Sequence, residues 1–133
     1  MEDYRRNKEG YLDPTAAEAI ANASKRTYRP VVYICSKYSG DVASNTEAAK
    51  AYSRFAVDQG AIPLAPHLLL PLYMKEESER ELALFMDMVF LSKCAELWVF
   101  GREYSSGMQA EIDRAKKRRM RIRYFTEELE ELC

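Results

Sequence analysis

The chain alternates between continuous apolar runs and stretches in which apolar residues recur at helical spacing. VVYIC at 31–35 and ELWVFG at 96–101 are apolar almost throughout, which is typical of strands buried on both faces. AIPLA at 61–65 predicts a short strand at an edge of the sheet, because Pro63 has no N–H to donate to a neighbour. RIRYF at 121–125 predicts a fourth strand.

Three main helices are predicted between these strands. NTEAAKAYSRFAVDQG at 45–60 has apolar residues at helical spacing and ends at a glycine, which favours termination. SERELALFMDMVFLSKC at 78–94 and SGMQAEIDRAKKRR at 106–119 supply the other two. The residues of the second helix that can face a core are Leu82, Phe85, Met86, Val89 and Cys94.

The remaining segments are shorter. DPTAAEAIANASKR at 13–26 predicts a helix with Asp13 as its N-cap, so we interpret residues 1–28 as a helical arm that docks on the domain or on a partner. PHLLLPLYMKEES at 66–78 predicts a loop or irregular segment, because it contains two prolines. The acidic tail TEELEELC at 126–133 predicts a last helical turn.

This regular alternation of strand and helix predicts the fold. Parallel strands joined by helices form sheets with right-handed crossovers. We therefore expect residues 29–133 to form one α/β domain, a small three-layer Rossmann-like sandwich around a four- to five-stranded, mainly parallel sheet. The chain of 133 residues is long enough for one hydrophobic core.

Composition narrows the classes of function. Apolar residues make up 47% of the chain and charged residues 31%, as in ordinary soluble globular proteins. The net charge of −1 gives no long-range attraction to nucleic acid or to an anionic membrane. No apolar run approaches the roughly 20 residues of a membrane span. MEDYRRNKEGY at the start has no apolar signal core, so we expect a cytoplasmic protein.

Cysteine and histidine are scarce. The three cysteines, Cys35, Cys94 and Cys133, show no CxxC spacing, and the first two end apolar runs as small buried side chains do. With His67 as the single histidine, a zinc site would be hard to build. The sequence therefore predicts no metal and no redox cofactor.

Polar loops follow the first three predicted strands. SKYSGD at 36–41 follows the first, PH at 66–67 the second, and GREYSSG at 101–107 the third. Open parallel sheets bind ligands beyond the carboxyl ends of their strands, near the point where the strand order reverses. We therefore expect the three loops to meet at one rim.

Each loop can also be explained without a ligand. SKYSGD is equally an ordinary turn in which Ser39, Asp41 or Asn45 caps the next helix. YSSG is equally a helix cap, although backbone N–H groups and serine hydroxyls at a helix N-terminus also bind anions. His67 is either a structurally satisfied, partly buried histidine or a catalytic one.

Two carboxylates stand out. Asp87 lies in ALFMDMVFL, in line with Leu84 and Leu91, where an acid without partners costs several kcal/mol. It either reaches a neighbouring backbone group or tyrosine hydroxyl, or it binds a ligand. Glu111 lies about one turn into the third main helix, where an acid either complements the helix dipole or faces a ligand.

The basic run RAKKRRMRIR at 114–123 does not indicate nucleic-acid binding. It lies at the predicted C-terminus of a helix, where cations complement the dipole, and the acidic tail follows it. Aromatic residues do not interleave with the run as base stacking requires.

Three segments together resemble a known superfamily. VYICSKYSGD, LSKCAELWVFG and SGMQAEI are similar to the nucleoside 2-deoxyribosyltransferase-like superfamily, which includes deoxyribosyltransferases and deoxynucleoside-monophosphate N-glycosidases. The resemblance covers residues 31–125 and is closest to a small phage- and prophage-associated branch of unknown function. It implies a nucleoside or nucleotide as the ligand.

The resemblance also implies roles for particular residues. In these enzymes the glutamate of an S-G-x-x-x-E turn attacks the anomeric carbon, and Ser106 to Glu111 match that turn. Glu111 would then be the nucleophile, and Asp87 would hold the ribose or the base. The candidate substrate-binding residues of the rim are Ser36, Tyr38, Ser39, Gly40, His67, Ser105, Ser106, Gly107 and Met108.

Two departures keep several functions open. Met108 stands where the enzymes commonly have threonine, and SKYSGD lacks the glycine-rich character of the monophosphate glycosidases. We predict a nucleoside or nucleotide N-glycosidase or deoxyribosyltransferase. The alternatives are a non-catalytic protein of phage origin that senses or sequesters a nucleotide, and a purely structural or interaction domain. The resemblance further implies a homodimer or larger homo-oligomer, with residues 1–27 and exposed aromatic side chains available for contact.

Overall fold

The computed structural model describes residues 14–26, 28–75 and 77–133. Its helices are α1 (Pro14–Arg26), α2 (Val42–Asp58), α3 (Pro66–Leu69), α4 (Arg80–Ser92) and α5 (Ser106–Lys117), with a 3-10 turn at Leu70–Leu72. Its strands are β1 (Val31–Cys35), β2 (Ile62–Leu64), β3 (Glu96–Phe100), β4 (Arg121–Phe125) and β5 (Glu131–Leu132). No helix among these residues is long and apolar enough to cross a bilayer. The Asp13 cap lies outside the described residues, as do residues 1–12 and 27 of the predicted arm.

The five strands form one sheet in the order β2-β1-β3-β4-β5. The first four strands run parallel, and β5 runs antiparallel to β4. β2, which carries Pro63, is an edge strand as the sequence predicts. The mainly parallel sheet is therefore confirmed.

The sheet separates two apolar layers, because successive side chains of a strand point to opposite faces. On one side the strands meet α2 through Val32, Ile34, Tyr52, Ala56, Trp98 and Phe100. On the other side they meet α4 and α5 through Tyr33, Cys35, Leu91, Leu97, Val99, Met108, Ile112 and Ala115. The predicted three-layer α/β sandwich is confirmed, and Tyr33 and Cys35 of β1 face α5.

Two segments differ from their predictions. Residues 66–78 were expected to be irregular, but they contain α3 and the 3-10 turn, and Pro66 takes a first helical position where its missing N–H costs nothing. The tail was expected to be helical, but it forms β5 against β4. The guanidinium of Arg123 donates hydrogen bonds of 2.6 and 2.8 Å to the carboxylate of Glu131, which fixes this pairing.

α4 buries a different face from the one that its spacing predicts. Its buried residues are Asp87 and Leu91. Leu82, Phe85 and Val89 are 50%, 65% and 39% exposed, so their assignment to the core is wrong. Apolar residues occur all around this helix, and periodicity alone therefore does not select the face that meets the sheet. The other two predicted core residues, Met86 and Cys94, are partly buried.

A substitution at Gly101 tests whether the turn after β3 requires a backbone conformation that favours glycine. The φ of Gly101 is +107°, a conformation that residues with a side chain rarely adopt, and its N–H donates to the carbonyl of Phe125. We expect Gly101→Ala to lower the free energy of unfolding by about 2 kcal/mol in urea titrations.

Gly107→Ala is the matched control for this substitution. Gly107 has no positive φ, and an added Cβ would come no closer than 3.9 Å to another side chain or to backbone outside its own turn. We expect its free energy of unfolding to stay at or slightly above that of the wild type. Equal stability of the two variants would contradict a backbone requirement at Gly101.

Candidate functional site

A cavity of about 510 Å³ lies at the carboxyl ends of β1 and β3. The strand order reverses between these two strands, because the chain passes from β1 to β2 on one side and then returns to β3 on the other. Open parallel sheets bind ligands at such a reversal. The three loops that were predicted to meet at one rim all contribute to the wall of this cavity.

Most of the predicted site residues line the cavity. They are Tyr38, Ser39, His67, Asp87, Ser105, Ser106, Gly107, Met108 and Glu111. Ser36 and Gly40 are not among the described lining residues. Ser36 is 3% exposed and its Oγ has no hydrogen-bond partner in the described part of the chain, whereas Gly40 is exposed on the outer side of the loop with a φ of +97°.

Glu111 is buried at the wall of the cavity, with 4% exposure. Ser105 caps α5 by accepting a hydrogen bond from the N–H of Met108, and one turn later Glu111 points towards β1. The Tyr33 hydroxyl donates a 2.5 Å hydrogen bond to Oε2 of Glu111. Glu111 therefore does more than complement the helix dipole, since a side chain from β1 holds it.

The sequence analysis missed Tyr33. Its only signal was a hydroxyl-bearing side chain inside the apolar run VVYIC, and such a tyrosine usually finds a hydrogen-bond partner when it is buried. Burial and the negative charge of Glu111 raise the pKa of Tyr33 well above its usual value. The phenol therefore remains protonated and acts as the donor.

The two carboxyl groups of the cavity have raised pKa values. Burial raises the pKa of Glu111 to about 7, against the lowering effect of hydrogen bonds from Tyr33 and Cys35, and the charge of Asp87 raises it further. Burial likewise raises the pKa of Asp87 to about 6. Both groups therefore exchange a proton near neutral pH.

Asp87 is 6% exposed, and its Oδ1 has no hydrogen-bond partner among the described residues. A buried oxygen of this kind carries the full cost of its desolvation unless a ligand or water satisfies it. The expectation that Asp87 simply reaches a neighbouring backbone or tyrosine group therefore does not account for Oδ1. Asp87 lines the cavity, and this oxygen lies buried in the cavity wall without a partner among the described residues.

The first loop serves as both a helix cap and a cavity wall. Asp41 caps α2 by accepting from the N–H of Ser44, as one sequence interpretation proposed. The Asn45 amide donates to the carbonyls of Tyr38 and Ser39 at 3.1 and 3.0 Å, which fixes the loop. The Tyr38 ring stacks on His67 with centroids 5.0 Å apart, so both rings are held in place.

The other residues that line the cavity are largely apolar. Its lining residues that the sequence analysis did not single out are Pro66, Leu70, Pro71, Met74, Arg80, Ala83, Leu84, Met88 and Ala110. Arg80 is the only lysine or arginine among the described lining residues. The nearby Lys37 pairs with Glu103 at 3.2 Å instead.

A metal centre is not evident in the part of the chain that the structure describes. Those residues contain no group of three or more histidine, cysteine, aspartate or glutamate side chains that could hold an ion. All three cysteines are free thiols. The polar groups that line the cavity include two carboxyl groups, serine hydroxyls and Arg80.

The raised pKa of Glu111 predicts how the free energy of unfolding depends on pH. The folded protein holds the proton of this carboxyl to about pH 7, whereas the unfolded chain loses it near 4.5, so stability falls as the pH rises between these values. We expect Glu111→Gln to match the wild type near pH 4 and to exceed its free energy of unfolding by about 3 kcal/mol at pH 8.

Asp113→Asn is the control for this effect. It removes one carboxylate from the exposed side of the same helix, so its stability should follow the wild type at every pH. Urea titrations from pH 4 to pH 8 give the comparison. A Glu111→Gln curve parallel to that of the wild type would show that the Glu111 carboxyl has an ordinary pKa.

The model of a family described as a domain of unknown function, DUF7768, matches residues 30–125. That range contains β1 to β4 and every described residue that lines the cavity. A search of the curated proteins finds no match. The chain belongs to the DUF7768 family.

Proposed function

We propose that this protein is a nucleoside or nucleotide N-glycosidase, or a related deoxyribosyltransferase, in which Glu111 attacks or stabilises the anomeric carbon. One observation carries the proposal. Glu111 is buried, held by the Tyr33 hydroxyl, and shares a 510 Å³ cavity with a second buried carboxyl group, Asp87. Paired carboxyl groups in a concave site are the usual means of cleaving bonds at an anomeric carbon.

In the proposed first step, the bond between C1′ of the sugar and the base nitrogen breaks, and a Glu111 oxygen bonds to C1′. The step starts from the protonation state in which Glu111 is ionised and Asp87 carries the proton. The electron pair of the broken bond leaves with the base, and a base nitrogen takes that proton from Asp87. Water then attacks C1′, which releases Glu111 as a carboxylate, and the proton of the water returns to Asp87. If a second base attacks in place of water, the sugar is transferred.

The lining residues other than Glu111 and Asp87 suit a nucleotide as the ligand. The stacked Tyr38 and His67 rings and the apolar lining residues provide surfaces for a flat base. Arg80 and the Ser105 and Ser106 hydroxyls at the start of α5 suit an anionic group on the sugar. The expected ligand therefore has a base, a sugar and, in its monophosphate form, a negative charge.

The first test is release of free base, measured by chromatography. Wild type, Glu111→Gln and Asp113→Asn are incubated with ribo- and deoxyribonucleosides, their 5′-monophosphates and NAD. We expect release by the wild type and Asp113→Asn and none by Glu111→Gln, because the glutamine has no carboxylate to attack or stabilise C1′. Asp87→Asn should slow release by roughly 10²–10⁴-fold through loss of the proton donor. No release from any compound by folded wild type would overturn the enzymatic proposal.

A non-catalytic nucleotide-binding protein, which senses or sequesters its ligand, is the second candidate. The burial of Glu111 and Asp87 favours their protonated forms, which donate hydrogen bonds to a ligand but do not attack it. Buried Met108 also lines the cavity where the resembling enzymes have threonine. Thermal stabilisation by a nucleotide without base release would favour this candidate.

Tyr33→Phe tests whether the Tyr33 hydroxyl holds Glu111 in position and stabilises its carboxylate form. Loss of a hydrogen bond to a charged group costs about 1.5–3 kcal/mol, so we expect the rate of base release at pH 7 to fall roughly 10–100-fold. The hydrogen bond from Tyr33 stabilises the carboxylate form of Glu111 and so lowers its pKa. Without that bond, the pKa of Glu111 should rise.

Tyr52→Phe is the matched control. Tyr52 is a buried tyrosine on the opposite side of the sheet, where it stacks on Phe100. Its substitution should leave both the rate and the pH dependence of stability unchanged. Equal effects of the two substitutions would assign Tyr33 a purely structural role.

We further propose that the protein works in the cytoplasm. Its three cysteines are free in the structure, and Cys133 is exposed, which suits a reducing compartment. Labelling of Cys133 in intact and lysed cells by a membrane-impermeant thiol reagent would test the location. Labelling in intact cells would contradict it.

A further inference from the structure

We propose that Cys35 is a second positioning residue for Glu111, with a thiol that shares its hydrogen between the Glu111 carboxylate and the Met108 carbonyl. The inference rests on the proposed function, in which Glu111 acts on the anomeric carbon. Cys35 stands two positions after Tyr33 on β1, so both side chains project from the same face of the sheet, towards α5. Cys35 is completely buried, on the face from which Tyr33 already holds Glu111.

The Cys35 thiol contacts two acceptors of α5. Its Sγ donates to the carbonyl of Met108 over 3.8 Å, and it also forms a hydrogen bond with the Glu111 carboxyl. A carbonyl inside a helix already accepts the N–H of the residue four positions later, so the Met108 carbonyl does not need the thiol. A buried carboxylate keeps the cost of its desolvation unless donors replace the lost water. Glu111 is therefore the acceptor that gains from the single thiol hydrogen.

The groups around Glu111 favour a donor at this position. The titratable side chains of the described residues that contact Glu111 or line the cavity with it are Tyr33, Cys35, Tyr38, His67, Arg80 and Asp87. Burial raises the pKa of Glu111, and the hydrogen bonds from Tyr33 and Cys35 lower it. The charge of Asp87 raises it further. The two side chains of β1 therefore oppose both burial and the second carboxyl group.

Cys35 acts as a donor and not as a nucleophile. Burial and the charge of Glu111 raise the pKa of the Cys35 thiol well above its usual value. The thiol therefore keeps its proton at neutral pH, as the phenol of Tyr33 does. Rotation about the Cβ–Sγ bond turns the thiol hydrogen from one acceptor to the other.

This sharing follows the charge of Glu111 through the proposed reaction. Before the first step Glu111 is a carboxylate, and the thiol hydrogen points to it. When a Glu111 oxygen bonds to C1′, the negative charge is lost and the hydrogen turns to the Met108 carbonyl. When water attacks C1′ and releases the carboxylate, the hydrogen turns back and stabilises the leaving group. The thiol keeps its proton throughout, so no covalent bond of Cys35 is made or broken.

An NMR titration of the Glu111 carboxyl carbon tests the proposal on the full chain. The protein is labelled with carbon-13 in its glutamate carboxyl groups, and the Glu111 signal is identified by its absence from Glu111→Gln. We expect the pKa of Glu111 to be higher in Cys35→Ala than in the wild type, because a donor to the carboxylate is lost. In Cys35→Ser it should stay at or below the wild-type value, since a hydroxyl is a stronger donor than a thiol.

Cys94→Ala is the matched control. Cys94 is a partly buried free thiol that packs against the same apolar layer, and it donates to the carbonyl of Phe90 in α4 at 3.3 Å. Its substitution removes the same atom from the same layer without removing a donor to Glu111. The pKa of Glu111 should therefore stay at its wild-type value.

The rate of base release at pH 7 is the second measurement. Cys35→Ala should lower this rate roughly 3–10-fold, as expected for the loss of one weak hydrogen bond, and Cys35→Ser should restore it. Cys94→Ala should release base at the wild-type rate.

Three results of the titration would overturn the proposal. They are an unchanged pKa of Glu111 in Cys35→Ala, an equal rise in Cys94→Ala, and a rise in Cys35→Ser as large as that in Cys35→Ala. The titration does not require catalysis, so it separates this proposal from the proposed function. Base release with an unshifted pKa would remove the role of Cys35 alone. A shifted pKa without base release by the wild type would overturn the enzymatic function, and with it the part of Cys35 in a reaction, while the hydrogen bond to Glu111 would stand.

Discussion

The hydrogen bond from Tyr33 to Glu111 is the interaction on which the candidate site depends. It joins the interior strand β1 to helix α5 across 78 positions of sequence, and both side chains are almost completely buried. A buried carboxyl without such a donor would cost several kcal/mol. The bond therefore makes an acid tolerable at the wall of the cavity and fixes its direction.

The position of this bond follows from the parallel sheet. Alternation along β1 turns Tyr33 and Cys35 towards α5, while Val32 and Ile34 turn towards α2. Parallel pairing of β1 with β3 then brings the loop after β3, and the start of α5, to the same edge as the loop after β1. The cavity is a consequence of strand order, and its chemistry is a consequence of which side chains face it.

The same geometry explains why the site carries a stability cost. Glu111 and Asp87 are buried in one cavity, and both have pKa values raised towards neutrality by burial. A fold optimised for stability alone would have apolar side chains at these positions. Acids that are retained at such a cost, with one Asp87 oxygen unsatisfied, are typical of sites that act on a ligand.

The sequence by itself determined strands β1 to β4, the parallel α/β architecture and the rim at which most candidate residues meet, because these depend on local periodicity and on rules of connection. Tertiary structure alone decided which face of α4 is buried, that Tyr33 reaches Glu111, and that the acidic tail pairs as β5. Each of these depends on a contact between distant segments. α4 is apolar on both sides, and the tail becomes a strand only through its contact with Arg123 and β4. Local pattern does not encode such contacts, because their energy exists only when both partners are in place.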